Sequence, residues 1–182
     1  MAETVLRRLR ALNRWVAIAI GVMLLACALF VLLDIVLRQL GSSFGGTDEI
    51  SGYVMALATS WGMAYALLEL GHVRIDIVRS RLHQPWRAGM DVFSLAVLSV
   101  TVTLIALRCW PVVEGSFVNG SRANTPLETP LLLVQAPWFA GWVWFAGTAW
   151  IALIAAAFLV ARRRFEAADA AVGTVLEGEG PA

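Results

Sequence analysis

Residues 50–68, ISGYVMALATSWGMAYALL, run directly into Glu69-Leu70-Gly71-His72-Val73-Arg74-Ile75-Asp76. The first nineteen carry no charge, and as an α-helix they would be about 28 Å long, close to the hydrocarbon thickness of a bilayer. The ionisable cluster begins where that thickness ends. Small residues take most even positions from Gly52 to Ala66 and large ones most odd positions, a period of two that ordinarily indicates a strand. A lone strand in lipid leaves its N–H and C=O groups unpaired at high cost, so the stretch reads as a helix. On that helix Leu57, Trp61, Tyr65 and Leu68 form a bulky face. Gly52, Ala56, Ser60 and Ala64 recur every fourth residue and admit a close helix neighbour.

The rest of the chain has the same character. Of its 182 residues 59% are hydrophobic, well above the 45–50% typical of soluble domains. The expected fold is all-α and integral to the membrane. All 14 basic residues are Arg, and they fall in short groups beside apolar runs, which is a membrane pattern rather than a nucleic-acid tract. Cys27 and Cys109 fall at different depths of two apolar runs, so no bridge between them is expected.

Four spans are expected, at about 15–37, 50–69, 90–110 and 138–161, within one transmembrane domain covering 1–164. The first apolar run, 15–33, is longer than a signal-peptide core and has no small-x-small cleavage site after it, so it reads as a retained helix. Before it, Val5, Leu9, Leu12 and Val16 share one helical face and Arg7, Arg10 and Arg14 the opposite one. That pattern suits either an amphipathic helix lying among the headgroups or a plain basic anchor. Thr47 reads as the N-cap of the second span, with Asp48 and Glu49 in its first turn. The charge-free stretch 129–161 is too long for one span, and Pro130 and Pro137 divide it into a short interfacial segment at 131–136 and a helix at 138–161. The tail, 165–182, has little to bury and reads as disordered.

Orientation follows from arginine placement. The N-tail, the loop between spans two and three, and the C-tail together hold eleven arginines, against Arg38, Arg108 and Arg122 on the other side. Both termini are therefore expected in the cytoplasm of a multi-pass inner-membrane protein.

Reactive groupings are scarce. Glu69-x-x-His72 has the spacing of half a di-iron motif, with Asp76 on nearly the same face, but His83 supplies no second half and neither histidine lies within a span to hold a haem. No Ser/His/Asp grouping, phosphate loop or Cys/His cluster appears. Asp34 and Arg38, at i, i+4, sit near an interface where a structural pair suffices. No enzyme, cofactor or metal is expected, and the shortage of intramembrane charge argues against a stand-alone transporter.

The order Arg38, Asp48-Glu49, Gly62, then His72-Val73-Arg74-Ile75-Asp76 resembles the small permease subunit (DctQ, or Q-type) of tripartite ATP-independent periplasmic (TRAP) transporters. Thr125-Pro126-Leu127, Pro130-Leu131, Pro137 and Gly141 are similar to that family's entry into its last helix, and the likeness spans about 15–160. Glu128 departs from it, standing where the family usually has an apolar residue, as does Gly46-Thr47 in place of a bulky aromatic. The resemblance implies a subunit that braces a large permease (M-type) subunit and helps dock a periplasmic substrate-binding protein (P-type) during sodium-coupled uptake of organic acids. On this view Arg38 pairs with Asp48 or Glu49 across the first outer loop. Glu69, His72, Arg74 and Asp76 hold the inner loop against the partner or the lipid surface. Glu114, Arg122 and Glu128, in the outer loop shaped by Pro130 and Pro137, meet the binding protein. The competing classes are a subunit of a membrane redox enzyme and a self-assembling structural membrane protein.

Overall fold

The computed structural model describes residues 2–69 and 83–164, with side chains from Thr4 onward. His72, Arg74 and Asp76 lie outside the described residues, as does the tail beyond Arg164. Four helices make up the described chain: α1 (Ala2–Gln39), α2 (Thr47–Leu68), α3 (Gln84–Asn119) and α4 (Leu132–Ala161). Three of them, over Thr4–Gln39, Gln84–Asn119 and Leu132–Ala161, are long and apolar enough to cross a membrane. The fourth, α2, is 22 residues long and is diluted by Gly, Ser and Thr.

The helix ends follow local chemistry. Leu40, Gly41 and Ser42 turn back onto the last carbonyls of α1, and Gly41 takes the left-handed conformation there. Pro85 lies in the first turn of α3, where its missing N–H costs nothing, and Gly120 (φ 57°) closes the other end by donating to the Ser116 carbonyl. Asp48 and Glu49 occupy the first turn of α2, but its N-cap is Gly46 (φ 67°) rather than Thr47. Thr47 is the first helical residue, and its side chain is buried in the α1–α2 junction.

Two further expectations are corrected. Pro137 does not separate an interfacial segment from a helix, because α4 is continuous from Leu132 to Ala161. A proline near a helix start gives up one backbone bond, and membrane helices tolerate that where neighbours hold the segment. Here Trp61 Nε1 donates to the Pro137 carbonyl at 2.9 Å. Nor is there a separate amphipathic helix, since α1 continues unbroken into the N-terminal segment. Its buried residues there are Leu6, Leu9 and Asn13, while Val5 and Leu12 stay exposed. The face is chosen by α4, whose Trp144 Nε1 donates to Asn13 Oδ1 at 3.0 Å.

α4 is the hub, in contact with α1, α2 and α3. Its buried residues are mostly small: Gly141, Thr148, Ala149, Ala152, Ala155 and Ala156, with Phe145 and Leu159 filling the larger gaps. Small residues let backbones approach, which is how helices gain dispersion energy where lipid offers equal apolarity. The second half of the every-fourth stripe of α2 supplies the partner surface: Ser60 and Ala64 are fully buried, whereas Gly52 is exposed and a Cβ there would meet nothing within 4 Å. Ser60 lies against Gly141, while Glu49 lies beside Thr125 and Thr129, so α2 and α4 run in the same direction. α1, joined to α2 by a short turn, runs opposite to both. Hydroxyls of Thr59, Ser94, Ser99, Thr101 and Thr103 donate to carbonyls one turn back and so leave no bare polar group. Cys27 and Cys109 are free thiols.

Gly141 tests this packing. A Cβ there would stand 2.5 Å from Ser60 Oγ and 2.8 Å from Trp61 Cδ1, whereas one at Gly115 meets nothing within 4 Å. Gly141→Ala should destabilise the protein by about 1–3 kcal/mol through overpacking. Gly115→Ala should stabilise it by roughly 0.5–1 kcal/mol. Thermal unfolding in detergent reads both, and equal melting temperatures would refute close α2–α4 packing.

Candidate functional site

Two polar assemblies sit at the end of the bundle where α1 meets α2 and α3 meets α4. The first is built on Asp34, whose side chain is 1% exposed. One carboxylate oxygen accepts from Arg38 Nε at 2.8 Å. The other accepts from Ser43 Oγ and from the Phe44 amide, each at 2.9 Å. An aspartate one turn before a helix end thus ties down the turn that follows, and Phe44 stacks back on Phe30 with ring centroids 5.4 Å apart. The expected pairing of Arg38 with Asp48 or Glu49 is therefore replaced. Arg38 lies one helical turn from Asp34 on the same face, and that carboxylate engages it first.

The second assembly joins α2 to the α3–α4 connection. Glu49 accepts from Tyr53 Oη at 2.5 Å. The Thr125 hydroxyl beside its carboxylate, then the Tyr53 and Thr129 hydroxyls and the Leu127 amide, hold its carboxyl below the ordinary value of 4.5 against a smaller opposing effect of burial. Leu127 covers the start of α2, where a Cβ on Gly46 would come within 2.5 Å of its side chain. Gly46 is thus required twice, for its left-handed backbone and for space. The connection closes on itself through an isolated bridge between Arg122 and Pro130. Arg122 Nη1 also donates to the Glu128 carbonyl at 3.3 Å, and Glu128 adopts φ 45°.

The remaining expected residues are scattered. Asp48 is exposed and its carbonyl accepts from Ser51 Oγ. Glu114 is exposed on the last turns of α3, Arg122 and Glu128 are exposed on the connection, and Glu69 is exposed at the end of α2, on the side of the bundle away from them. Pro130 belongs to the bridge and Pro137 to the Trp61 bond. Among the described residues, no three of His, Cys, Asp and Glu come together. Asn13 is fully buried and Asp91 is 4% exposed. Asn13 gives no sequence signal beyond being amidic among arginines, whereas Asp91 immediately precedes a charge-free run.

A family model described as tripartite ATP-independent periplasmic transporters, DctQ component, matches residues 27–165. No curated protein and no solved structure matches the chain.

Two predictions follow from the junctions. Asp34→Ala removes three hydrogen bonds at once and should lower the melting temperature in detergent by at least about 5 °C. Arg38→Gln, at a half-exposed position, should cost far less. Equal losses would mean that the ion pair, and not the turn, matters. For Glu49, a carboxyl held low contributes stability above pH 4.5 that disappears as pH falls through that value toward its folded one. The melting-temperature gap between wild type and Glu49→Gln should thus be widest near neutrality and narrow progressively as pH falls below 4.5. A gap constant across that range would contradict the assignment.

Proposed function

Because this chain belongs to the DctQ component family of tripartite ATP-independent periplasmic transporters, we propose that it is the small permease subunit that braces a large permease subunit. In that role it would help seat a periplasmic binding protein during sodium-coupled uptake of organic acids. The observation that carries the reading is the exposure of α1. Between its pinned ends, Trp15, Val22, Leu25 and Leu29 are all more than half exposed, an apolar length suited to lipid and to another subunit's helices. The scarcity of intramembrane charge supports it as well. Among the described residues, the buried carboxylates are Asp34 and Asp91, each near a helix end, and nothing resembles an ion path.

On this reading four helices cross the inner membrane at about 15–37, 50–69, 90–110 and 138–161, with both termini and the tail 165–182 in the cytoplasm, as eleven arginines against three favour. Glu69, His72, Arg74 and Asp76 then face the cytoplasm and engage the large subunit or lipid phosphates. The Glu49–Thr125 assembly fixes the outer connection, so that Asp48, Glu114, Arg122 and Glu128 present charges to the binding protein from a rigid base.

Replacing Arg74 and Asp76 together by Ala should reduce recovery of the large permease subunit at least about tenfold when the tagged small subunit is purified in mild detergent. The variant must itself remain monodisperse. Full recovery of the large subunit would remove these residues from the contact.

A further inference from the structure

The apolar runs of the four helices do not lie side by side in the bundle. Asn13 of α1 meets Trp144 of α4, Ser60 of α2 meets Gly141, and Thr103 and Trp110 of α3 meet Trp150 and Phe139. These contacts fix the level of each helix along α4, with α1 and α3 antiparallel to it. At about 1.5 Å per residue, the middle of the charge-free run 15–33 falls level with Leu133, that of 50–68 with Ala140 and that of 92–107 with Ala152. From α1 to α3 the displacement is about 28 Å, nearly the ~30 Å depth of a hydrocarbon core. The two helices sit on different flanks of α4, since Trp144 stands about 120–140° around its axis from Phe139 and Trp150.

A bilayer square to α4 does not fit this arrangement. Placed around the 92–107 run, it immerses Arg7, Arg8 and Arg14, all exposed on α1, and an arginine in hydrocarbon is costly. Moved outward to spare them, it immerses Glu114 and leaves Phe93, Val97 and Val100, 48% to 69% exposed, in water. Length points the same way independently. The charge-free run 129–161 is about 50 Å long as a helix. Exposed apolar side chains follow α1 from Leu12 to Leu40, about 42 Å, with Arg14 and the Asp34-bound Arg38 near the two ends. On α3 the one exposed charge between Arg87 and Glu114, about 40 Å apart, is Arg108. Helices of such length fill a ~30 Å core when they lie roughly 40–50° from its normal.

We propose that the bundle crosses the bilayer obliquely, with α4 roughly 40–50° from the membrane normal and the lipid belt slanting from α3 across to α1. On the α1 flank, headgroups of one surface meet Arg7 and Arg14 level with the middle of α4. On the α3 flank, headgroups of the opposite surface meet Arg108 and Glu114. Phosphates of the two leaflets thus pair with arginines on different helices, and neither set enters hydrocarbon. The inference rests on the helices crossing a bilayer and not on the bracing role.

Val5 and Val100 stand at one level along α4, near Ala152, but on different flanks, and Leu25 and Val118 do so near Leu133. All four are exposed. The test uses the small subunit purified with its large permease subunit and placed in phospholipid nanodiscs, with Cys27 and Cys109 changed to Ala. One spin label at a time is attached through Val5→Cys, Val100→Cys, Leu25→Cys or Val118→Cys. Its collisions with oxygen, which enters hydrocarbon, are compared with those of a water-soluble nickel chelate. The ratio of oxygen to nickel should be several-fold higher at Val100→Cys than at Val5→Cys, and at Leu25→Cys than at Val118→Cys. Equal or inverted ratios within either pair would set the bilayer square to α4 and overturn the proposal. A label shielded from both reagents lies against the large subunit, and its pair is then read by arginine substitution. Val5→Arg and Val118→Arg should leave recovery of monodisperse complex unchanged, whereas Val100→Arg and Leu25→Arg should lower it at least about tenfold. Equal recovery within a pair overturns the proposal as well. Loss of the large subunit from the wild type would strike the bracing role alone, because the depths are read on this chain.

Discussion

Inside a bilayer no water is at hand to satisfy a hydrogen-bonding group, so each polar atom of a spanning helix must find its partner within the protein. In this bundle that constraint is met by most of the indoles and hydroxyls that cross between helices, although Trp142 Nε1 and Thr148 Oγ1 of α4 are buried without a hydrogen-bond partner among the described residues. Trp61 and Trp144 stack with centroids 6.4 Å apart, and each sends its N–H across to a different helix, to Pro137 and to Asn13. Through these two bonds α1, α2 and α4 are held at one relative height. Trp150, donating to Thr103 at 2.9 Å, does the same for α3 and α4. Indoles suit the task because each combines a broad apolar surface with a single donor at its edge.

Close packing and polar satisfaction meet at the same residues. Ser60 is fully buried against Gly141 and donates to the Leu57 carbonyl of its own helix at 3.2 Å. A larger residue at either place would part α2 from α4, while a hydroxyl turned outward would leave a bare donor in hydrocarbon. At the α1–α2 turn the balance is different. Asp34 is buried yet ionisable, and it is tolerated because Arg38, Ser43 and the Phe44 amide all donate to it. Breaking such a group costs far more than pairing it gains.

The protein is packed tightly where its helices meet and open where α1 faces its surroundings. Its core is closed by small residues, and α1 offers a long apolar flank to its surroundings. The DctQ family places such a chain within a transporter of several components.

Much of this was legible in the residues. The charge-free length of 50–68, the excess of arginine beside apolar runs and the block His72-Val73-Arg74-Ile75-Asp76 were enough for an all-helical membrane protein of this family. Even the stripe ending in Ser60 and Ala64 marked a face for close packing. These are properties of composition and period, which each helix carries by itself. Partner choice is not such a property. The Asp34–Arg38 pair could be read from its i, i+4 spacing, but that Glu49 is met by Thr125, that α4 runs unbroken through Pro137, and that Asn13 rather than Leu12 faces inward all depend on residues remote in sequence or on the cost of an unmet hydrogen bond. Only the packed bundle decides those, because only there do Trp61 and Trp144 come close enough to fix which faces turn inward.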